Sequence, residues 1–248
     1  MVAILALFVA GALWALFTGC RPKPPPPYLH YKLPDHPKYP ETPLHHLYAF
    51  HLLSPEVCAH FVDTIEAYAK MIGGWTTKRH ASYPTTDIPI KHTPLWPEAK
   101  RVVYERVFPL MARAYGIKKR NLNLHDLFFV EYDADTPEAQ KHLDFHRDGS
   151  LLSFSILCND PAEFDGGGTV FDALGGAVVE PEACGDLVIH SGKLRHSGQA
   201  ITRGQRYLIV GFVKVLGSDV NHNLLQNNRT SKKGIDLDYM LVTHTIKK

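Results

Sequence analysis

The chain has 248 residues, 45% of them hydrophobic, and its 27 Lys and Arg against 25 Asp and Glu leave a formal charge of +2. That length suits one large β or α/β domain with appendages. Near-neutral charge with this apolar share argues against disorder and against a polyanionic partner such as nucleic acid, so the expected ligand is a small molecule or another protein.

The opening stretch, MVAILALFVAGALWALFTGC, holds no charged side chain before Arg21. At about 1.5 Å per residue it is long enough to cross a hydrocarbon core about 30 Å thick, so residues 1–20 are expected to be a transmembrane helix anchoring the chain. A cleaved signal peptide, the alternative, would carry a basic leader and a shorter apolar run. Arg21, Lys23 and Lys32 beyond the span favour a cytosolic domain under the positive-inside bias, whereas the glycosylation sequon at Asn228 has meaning only in a secretory lumen. The residues by themselves leave the side of the membrane open.

Residues 21–43 are rich in proline, which lacks an amide donor and holds the backbone extended; a stiff tether is expected, with His30 and His36 solvated. Residues 44–119 read as a helical part of the folded unit. Ser54 suits a cap, Pro55 suits the first helical position, and Gly73 and Gly74 stop the run, while Val57, Phe61, Ile65 and Tyr68 recur at helical spacing. A second helix is expected over PEAKRVVYERVFPLMARAYG, bent at Pro109.

From Leu127 the texture changes to short apolar runs separated by Gly, Pro, Asp and Asn: LFFVEY, SLLSFSILC, GTVF, AVVE, DLVIHSG and RYLIVGFV. Such spacing without intervening helices indicates an antiparallel sandwich or barrel, with a jelly roll the first choice, over residues 120–218. Residues 219–248 form a C-terminal tail. The overall class is therefore mainly β with flanking helices. Cys20, Cys58, Cys158 and Cys184 are too few and scattered for a disulfide scaffold or a zinc finger; they read as buried small residues, with one disulfide among the last three open in an oxidising compartment.

The chemistry gathers in HLDFHRDG, residues 142–149, where His-x-Asp occurs twice: His142 with Asp144, and His146 with Asp148. On a strand, side chains two residues apart share a face, so either pair offers two ligands to one metal. A third imidazole from a distant strand would complete a two-His, one-carboxylate set, which leaves positions open and favours non-haem Fe(II). His190 and His196 are the candidates for it. His196 stands ten residues before Arg206 (206 minus 196), across an expected hairpin turn at TRGQ, so the two can face one cavity, and His190 has no basic residue at that offset. Gly166, Gly167 and Gly168 precede neither Lys-Ser nor a helix and read as a tight turn rather than a phosphate loop.

These segments resemble the Fe(II)- and 2-oxoglutarate-dependent dioxygenases, in particular their prolyl 4-hydroxylase and procollagen lysyl hydroxylase branch. The matching stretches are FFVEY, HRDGSLLSFSILCND, FDGGGTVF, GDLVIHSGKLRHSG and RGQRYLIVGFV, with YPTTDIPI before them. The resemblance implies a double-stranded β-helix whose metal ligands are His146, Asp148 and His196, since the family's His-x-Asp is followed two residues later by Ser or Thr and an apolar strand, as Asp148 is. It implies that Arg206 grips the distal carboxylate of 2-oxoglutarate and that Tyr132 hydrogen-bonds the same cosubstrate, beside which a plain core role for Tyr132 stands as an alternative. Fe(II), 2-oxoglutarate, O2 and ascorbate are the implied cofactors. Hydroxylation of a peptidyl proline or lysine is the implied reaction, with the endoplasmic reticulum or Golgi lumen as the implied location. His142 and Asp144 are left either as neighbours of the substrate or as a solvated charge cluster. The competing readings are a binding protein that keeps the jelly roll without turnover, and an oxygenase acting on a small molecule.

Overall fold

A computed structural model describes residues 26–32, 43–77, 79–80 and 83–216. Thirteen strands are present among the described residues, and the hydrophobic alternation along them sets the architecture. The larger sheet has seven strands in the order β1 (Leu29–Lys32), β2 (His46–His51), β10 (Asp186–Ser191), β6 (Leu152–Leu157), β13 (Gln205–Val215), β4 (Leu122–Asp133) and β3 (Asp87–Pro89). The smaller sheet has β5 (Leu143–His146), β11 (His196–Gly198), β8 (Thr169–Phe171) and β9 (Val178–Val179), and a separate ribbon pairs β12 (Ile201–Arg203) with β7 (Asp165–Gly166). All pairings are antiparallel. This is the jelly roll expected from the strand spacing.

The large sheet is buried on both faces, which explains why LFFV in β4 is apolar without a gap. Phe129 in β4, Tyr207 and Ile209 in β13, and Leu187 and Ile189 in β10 face outward, where they share one core with the helices. The intervening residues Phe128, Val130, Tyr132 and Leu208 face inward and form a second cluster. The inner face is where the site lies.

Helix α1 (Pro55–Ile72) buries Cys58, Phe61, Ile65 and Ala69 against the sheet. It ends at Gly73 as its sequence indicates; Ser54 holds the extended N-cap backbone, but its hydroxyl makes no capping bond. The second expected helix is three segments: α2 (Trp96–Val102), a π-helical turn (Val103–Val107) and α3 (Phe108–Tyr115). Pro109 has no N–H for an ordinary helical bond, and the wider turn just before it absorbs the mismatch while keeping Val103, Val107, Phe108 and Met111 buried on one side.

Two expectations are corrected. Leu29–Lys32, assigned to the tether, pair antiparallel with β2 as an edge strand, and Tyr28 beside them donates to Asp186 at 2.8 Å. His30 is likewise not simply solvated: its Nε2 lies 2.8 Å from His46 Nδ1, and its ring stacks on Tyr48. The part read as helical, 44–119, also contributes β2 and β3 to the large sheet. The expected anchor, residues 1–20, and Asn228 lie outside the described residues; among those described, no helix is long and apolar enough to cross a membrane.

Candidate metal centre

His146 ends β5 and His196 begins β11, and the two are direct partners across the small sheet, so their rings meet with centroids 4.4 Å apart. Asp148 lies two residues past the end of β5, and its backbone N–H donates to Gly192 O at 2.8 Å. A Cβ at Gly192 would fall 2.5 Å from Ser150 O and 3.0 Å from Asp148 Cβ, so only glycine lets the turn after β10 pack this closely on the Asp148 loop. The metal-candidate atoms of His146, Asp148 and His196 all lie within 4.8 Å of one another.

The proton positions decide what this cluster can do. His146 Nδ1 lies 2.8 Å from Asp144 O and His196 Nδ1 lies 2.8 Å from Leu194 O. A carbonyl only accepts, so each Nδ1 carries the hydrogen, and each ring, when neutral, presents a bare Nε2 to Asp148 Oδ1, at 3.4 and 3.8 Å. Three lone-pair groups thus converge with no proton of their own between them, which only a cation or an added proton can satisfy. Burial pushes the His196 imidazole down to about 3, against the attraction of Asp148, so it is neutral at neutral pH. Burial pushes Asp148 up, but His196, His146, His190 and the Ser153 hydroxyl outweigh it and hold the carboxyl well below the usual carboxylate range. Burial lowers His146, yet its contacts with Asp148 and the Asp144 carbonyl leave it raised on balance. The donor set of two imidazoles and a carboxylate, with one side of the cluster facing a cavity, fits a divalent first-row metal such as Fe(II).

That cavity, about 370 Å³, runs between the two sheets from the three ligands to Arg206. Arg206 is 2% exposed and is the cross-strand partner of Tyr132. Its guanidinium carbon lies 5.8 Å from the Tyr132 ring centre and 5.9 Å from that of Phe164, and its Nε has no hydrogen-bond partner. Burial lowers its pKa, opposed by Tyr132 and by the field of Glu180, but neither is bonded to it. A buried guanidinium without a bonded anion calls for one from the cavity, and its planar fork suits a carboxylate. Tyr132 is buried, its phenol is pushed up by that burial, and its side chain lines the same cavity.

The sequence-derived residues are therefore brought together as a set, although by a different route at one point. No β12–β13 hairpin forms: β12 pairs with β7 while β13 joins β4 and β6, so TRGQ carries the chain from one sheet to the other. His196 and Arg206 face one cavity because they sit on opposite walls of it. His142 and Asp144 do not line it; their side chains are 60% and 84% exposed and 3.5 Å apart, a solvated pair. Asp144 acts on the cluster only through its backbone carbonyl.

Several residues have a part in the site that the sequence did not indicate. Gly166, Gly167 and Gly168 form the expected turn at positive φ, but a Cβ at Gly167 would also come within 3.1 Å of Arg206 Cδ, so this glycine makes room for the guanidinium stem. His190, passed over as a ligand, is buried beside His196 with ring centres 4.7 Å apart and lines the cavity. Tyr83, 41% exposed, lies over His146 at 5.3 Å at the cavity mouth, and Arg79 reaches the wall while paired to Asp87 and Asp126 at 2.7 and 2.6 Å. Close backbone approach and cross-sheet contact leave no local pattern, which is why these were missed.

No protein-family model matches the chain. It is 29% identical over 185 residues to procollagen-lysine,2-oxoglutarate 5-dioxygenase 2 of Homo sapiens, covering 70% of this chain and 24% of that protein. It is 30% identical over 192 residues to the multifunctional procollagen lysine hydroxylase and glycosyltransferase LH3 of Rattus norvegicus, with the same two shares. The chain thus spans about a quarter of the length of these curated relatives. Among solved structures, AviO1 from Streptomyces viridochromogenes Tue57 superposes with a TM-score of 0.51 at 16% identity, over 68% of this chain and 89% of that one, a likeness of fold.

Proposed function

We propose that this chain, which belongs with the Fe(II)- and 2-oxoglutarate-dependent dioxygenases on their procollagen lysyl hydroxylase side, hydroxylates a C–H bond of a peptidyl lysine or proline. The observation that carries this reading is the pairing, within one cavity, of a lone-pair triad at one end with a buried guanidinium lacking an anion at the other.

Each residue then has a distinct task. His146 and His196 hold the metal through Nε2, and the carbonyls of Asp144 and Leu194 fix the ring orientation. Asp148 supplies the negative charge, with the Ser153 hydroxyl steadying its carboxylate. Arg206 receives the distal carboxylate of 2-oxoglutarate in a charge-assisted fork, and the neighbouring Tyr132 hydroxyl is placed to bond the same cosubstrate. Phe128, Val130, Leu143 and Leu208 wall the space between and keep water out. Iron bound here supplies the oxidising chemistry, in which 2-oxoglutarate and O2 become succinate and CO2 and one oxygen atom enters the substrate as hydroxyl. Tyr83 and Arg79 at the mouth would meet the substrate.

The placement we propose is a membrane anchor at residues 1–20 with the catalytic unit in the lumen of the endoplasmic reticulum or Golgi. The uncharged opening stretch, the Asn228 sequon and the likeness to procollagen-modifying enzymes support it.

The test is succinate release by the purified chain with Fe(II), 2-oxoglutarate, ascorbate and lysine- and proline-containing peptide pools, with mass spectrometry for a 16-dalton gain on the peptide. His146→Ala should abolish both readouts. Turnover with a small molecule and no peptide would replace the peptidyl substrate, and 2-oxoglutarate binding without any turnover would favour a binding protein.

A further inference from the structure

Three cysteines that lie far apart in the chain, Cys58, Cys158 and Cys184, meet at the outer face of the large sheet, away from the metal centre. Cys58 is on the first turns of α1, Cys158 follows β6 directly, and Cys184 lies just ahead of β10. The Leu157 carbonyl ties the three segments together: it accepts the N–H of Gly185 at 2.8 Å and the Cys58 thiol at 3.9 Å, and Leu157 is itself the neighbour of Cys158. Gly185 O in turn accepts from Leu53 N at 3.0 Å, fixing the segment that carries Cys184 against the start of α1. Cys58 and Cys158 belong to one buried cluster against which Cys184 packs, and all three are unlinked in this structure.

We propose that Cys58 and Cys184 form a disulfide when the chain folds in an oxidising compartment, with Cys158 left as a buried thiol. Accessibility selects the pair. Cys58 and Cys158 are buried at 0% and 1% exposure in the apolar core, where no oxidant reaches them, whereas Cys184 is partly exposed and packs against the cluster that holds Cys58. The reaction is exchange with a small-molecule disulfide such as oxidised glutathione. The Cys184 thiolate attacks one sulfur, releasing the first reduced thiol and forming a mixed disulfide; the Cys58 thiolate then attacks Cys184 Sγ, the bond to the second glutathione breaks, and that thiol leaves. The cysteine pair loses two electrons and two protons, and glutathione gains both.

The neighbouring Cys158 thiol and burial hold the Cys58 thiol well above the ordinary thiol range, and Arg106, whose guanidinium donates to Leu52 O, offsets this only in part. Burial likewise pushes the Cys184 thiol up to about 12, so exchange at the folded surface is slow. It would close a loop from residue 58 to residue 184 that contains His146 and Asp148, joining α1 to the strand that carries His190. The assignment stands on packing and is independent of the reaction the metal centre performs.

The experiment is folding of the full chain, solubilised in mild detergent, in a glutathione redox buffer, followed by alkylation and peptide mapping without reduction. The expected result is a Cys58–Cys184 linked peptide that disappears on reduction, with Tm about 5–10 °C higher in the oxidised than in the reduced protein. Cys184→Ser, at a partly exposed position, should fold and lose that Tm difference. Free thiols at all three positions at equilibrium, or a Cys58–Cys158 link in place of the expected one, would overturn the proposal.

Discussion

At the scale of single residues, protonation is what links structure to chemistry here. His146 must shed a proton from Nε2 before a metal can use that lone pair, and its contact with Asp148 holds its pKa above the ordinary imidazole value. Below that raised pKa the metal competes with the proton, so affinity should fall about tenfold per pH unit, whereas above it affinity should level off. Titrating Co(II) or Mn(II) into metal-free protein across the range from about pH 5 to 8 checks this, and a pH-independent affinity would show that the metal displaces no proton from His146. A second residue makes a folding prediction. Burial, with Glu66 and Asp133 nearby, pushes the Glu131 carboxyl up to about 7 from 4.5. The Tyr207 hydroxyl, 2.9 Å from Glu66, 3.2 Å from Gln205 and 3.5 Å from Glu131, has one proton for three acceptors. The folded state therefore binds a proton that the unfolded chain has released, so stability is greatest below the unfolded value and declines as pH rises through the folded one. Glu131→Gln should stabilise the fold by about 1–3 kcal/mol near pH 8 and by almost nothing near pH 4, measured by denaturant unfolding at both.

At the scale of elements, the site depends on glycines that allow backbone and side chains to approach. The turn at residues 166–168 packs its outer glycines against Ala200 and Val178 and its middle one, Gly167, against the Arg206 guanidinium stem. Gly167→Ala adds one methyl at a positive φ and 3.1 Å from Arg206 Cδ, so the guanidinium must shift. The expected outcome is a KM for 2-oxoglutarate raised about tenfold with metal affinity little changed, since a shift of this size in a buried fork removes on the order of 1–2 kcal/mol of charge-assisted bonding. Equal losses of metal and cosubstrate binding would instead indicate general unfolding. The segmented second helix shows the same economy: Pro109 is accommodated by a π turn, and the apolar stripe survives the change in pitch.

At the scale of the molecule, the proline-rich segment is partly structural. Tyr28 bonds the fully buried Asp186, which also accepts from His51 Nδ1 at 2.7 Å and from the N–H groups of Glu182 and Ala183. β1 covers what would otherwise be the open edge of β2. A chain lacking residues 1–42 should therefore be less stable than one lacking residues 1–25, by about 1–3 kcal/mol, and more prone to self-association. Matched denaturation midpoints for the two truncations would show that the strand contributes nothing. The same region also holds His30, His46 and Tyr48 in one stack, which a sequence reading of a solvated tether did not suggest.

The sequence by itself determined the strand-rich class, α1 with its glycine stop, and the metal half-site, because periodicity, stop signals and a two-residue ligand spacing are local and survive in one dimension. Reading His146 rather than His142 came from the resemblance to the dioxygenase family, whose His-x-Asp is followed two residues later by Ser or Thr, as Asp148 is. What the tertiary structure decided was everything that depends on which strands become neighbours: that His146 and His196 are paired across the small sheet, that TRGQ crosses between sheets instead of closing a hairpin, that Gly167 and Gly192 fit against Arg206 and Asp148, and that the segments carrying three distant cysteines meet at one carbonyl. Those contacts arise from the inward and outward faces of two stacked sheets, and separations along the chain carry no record of them.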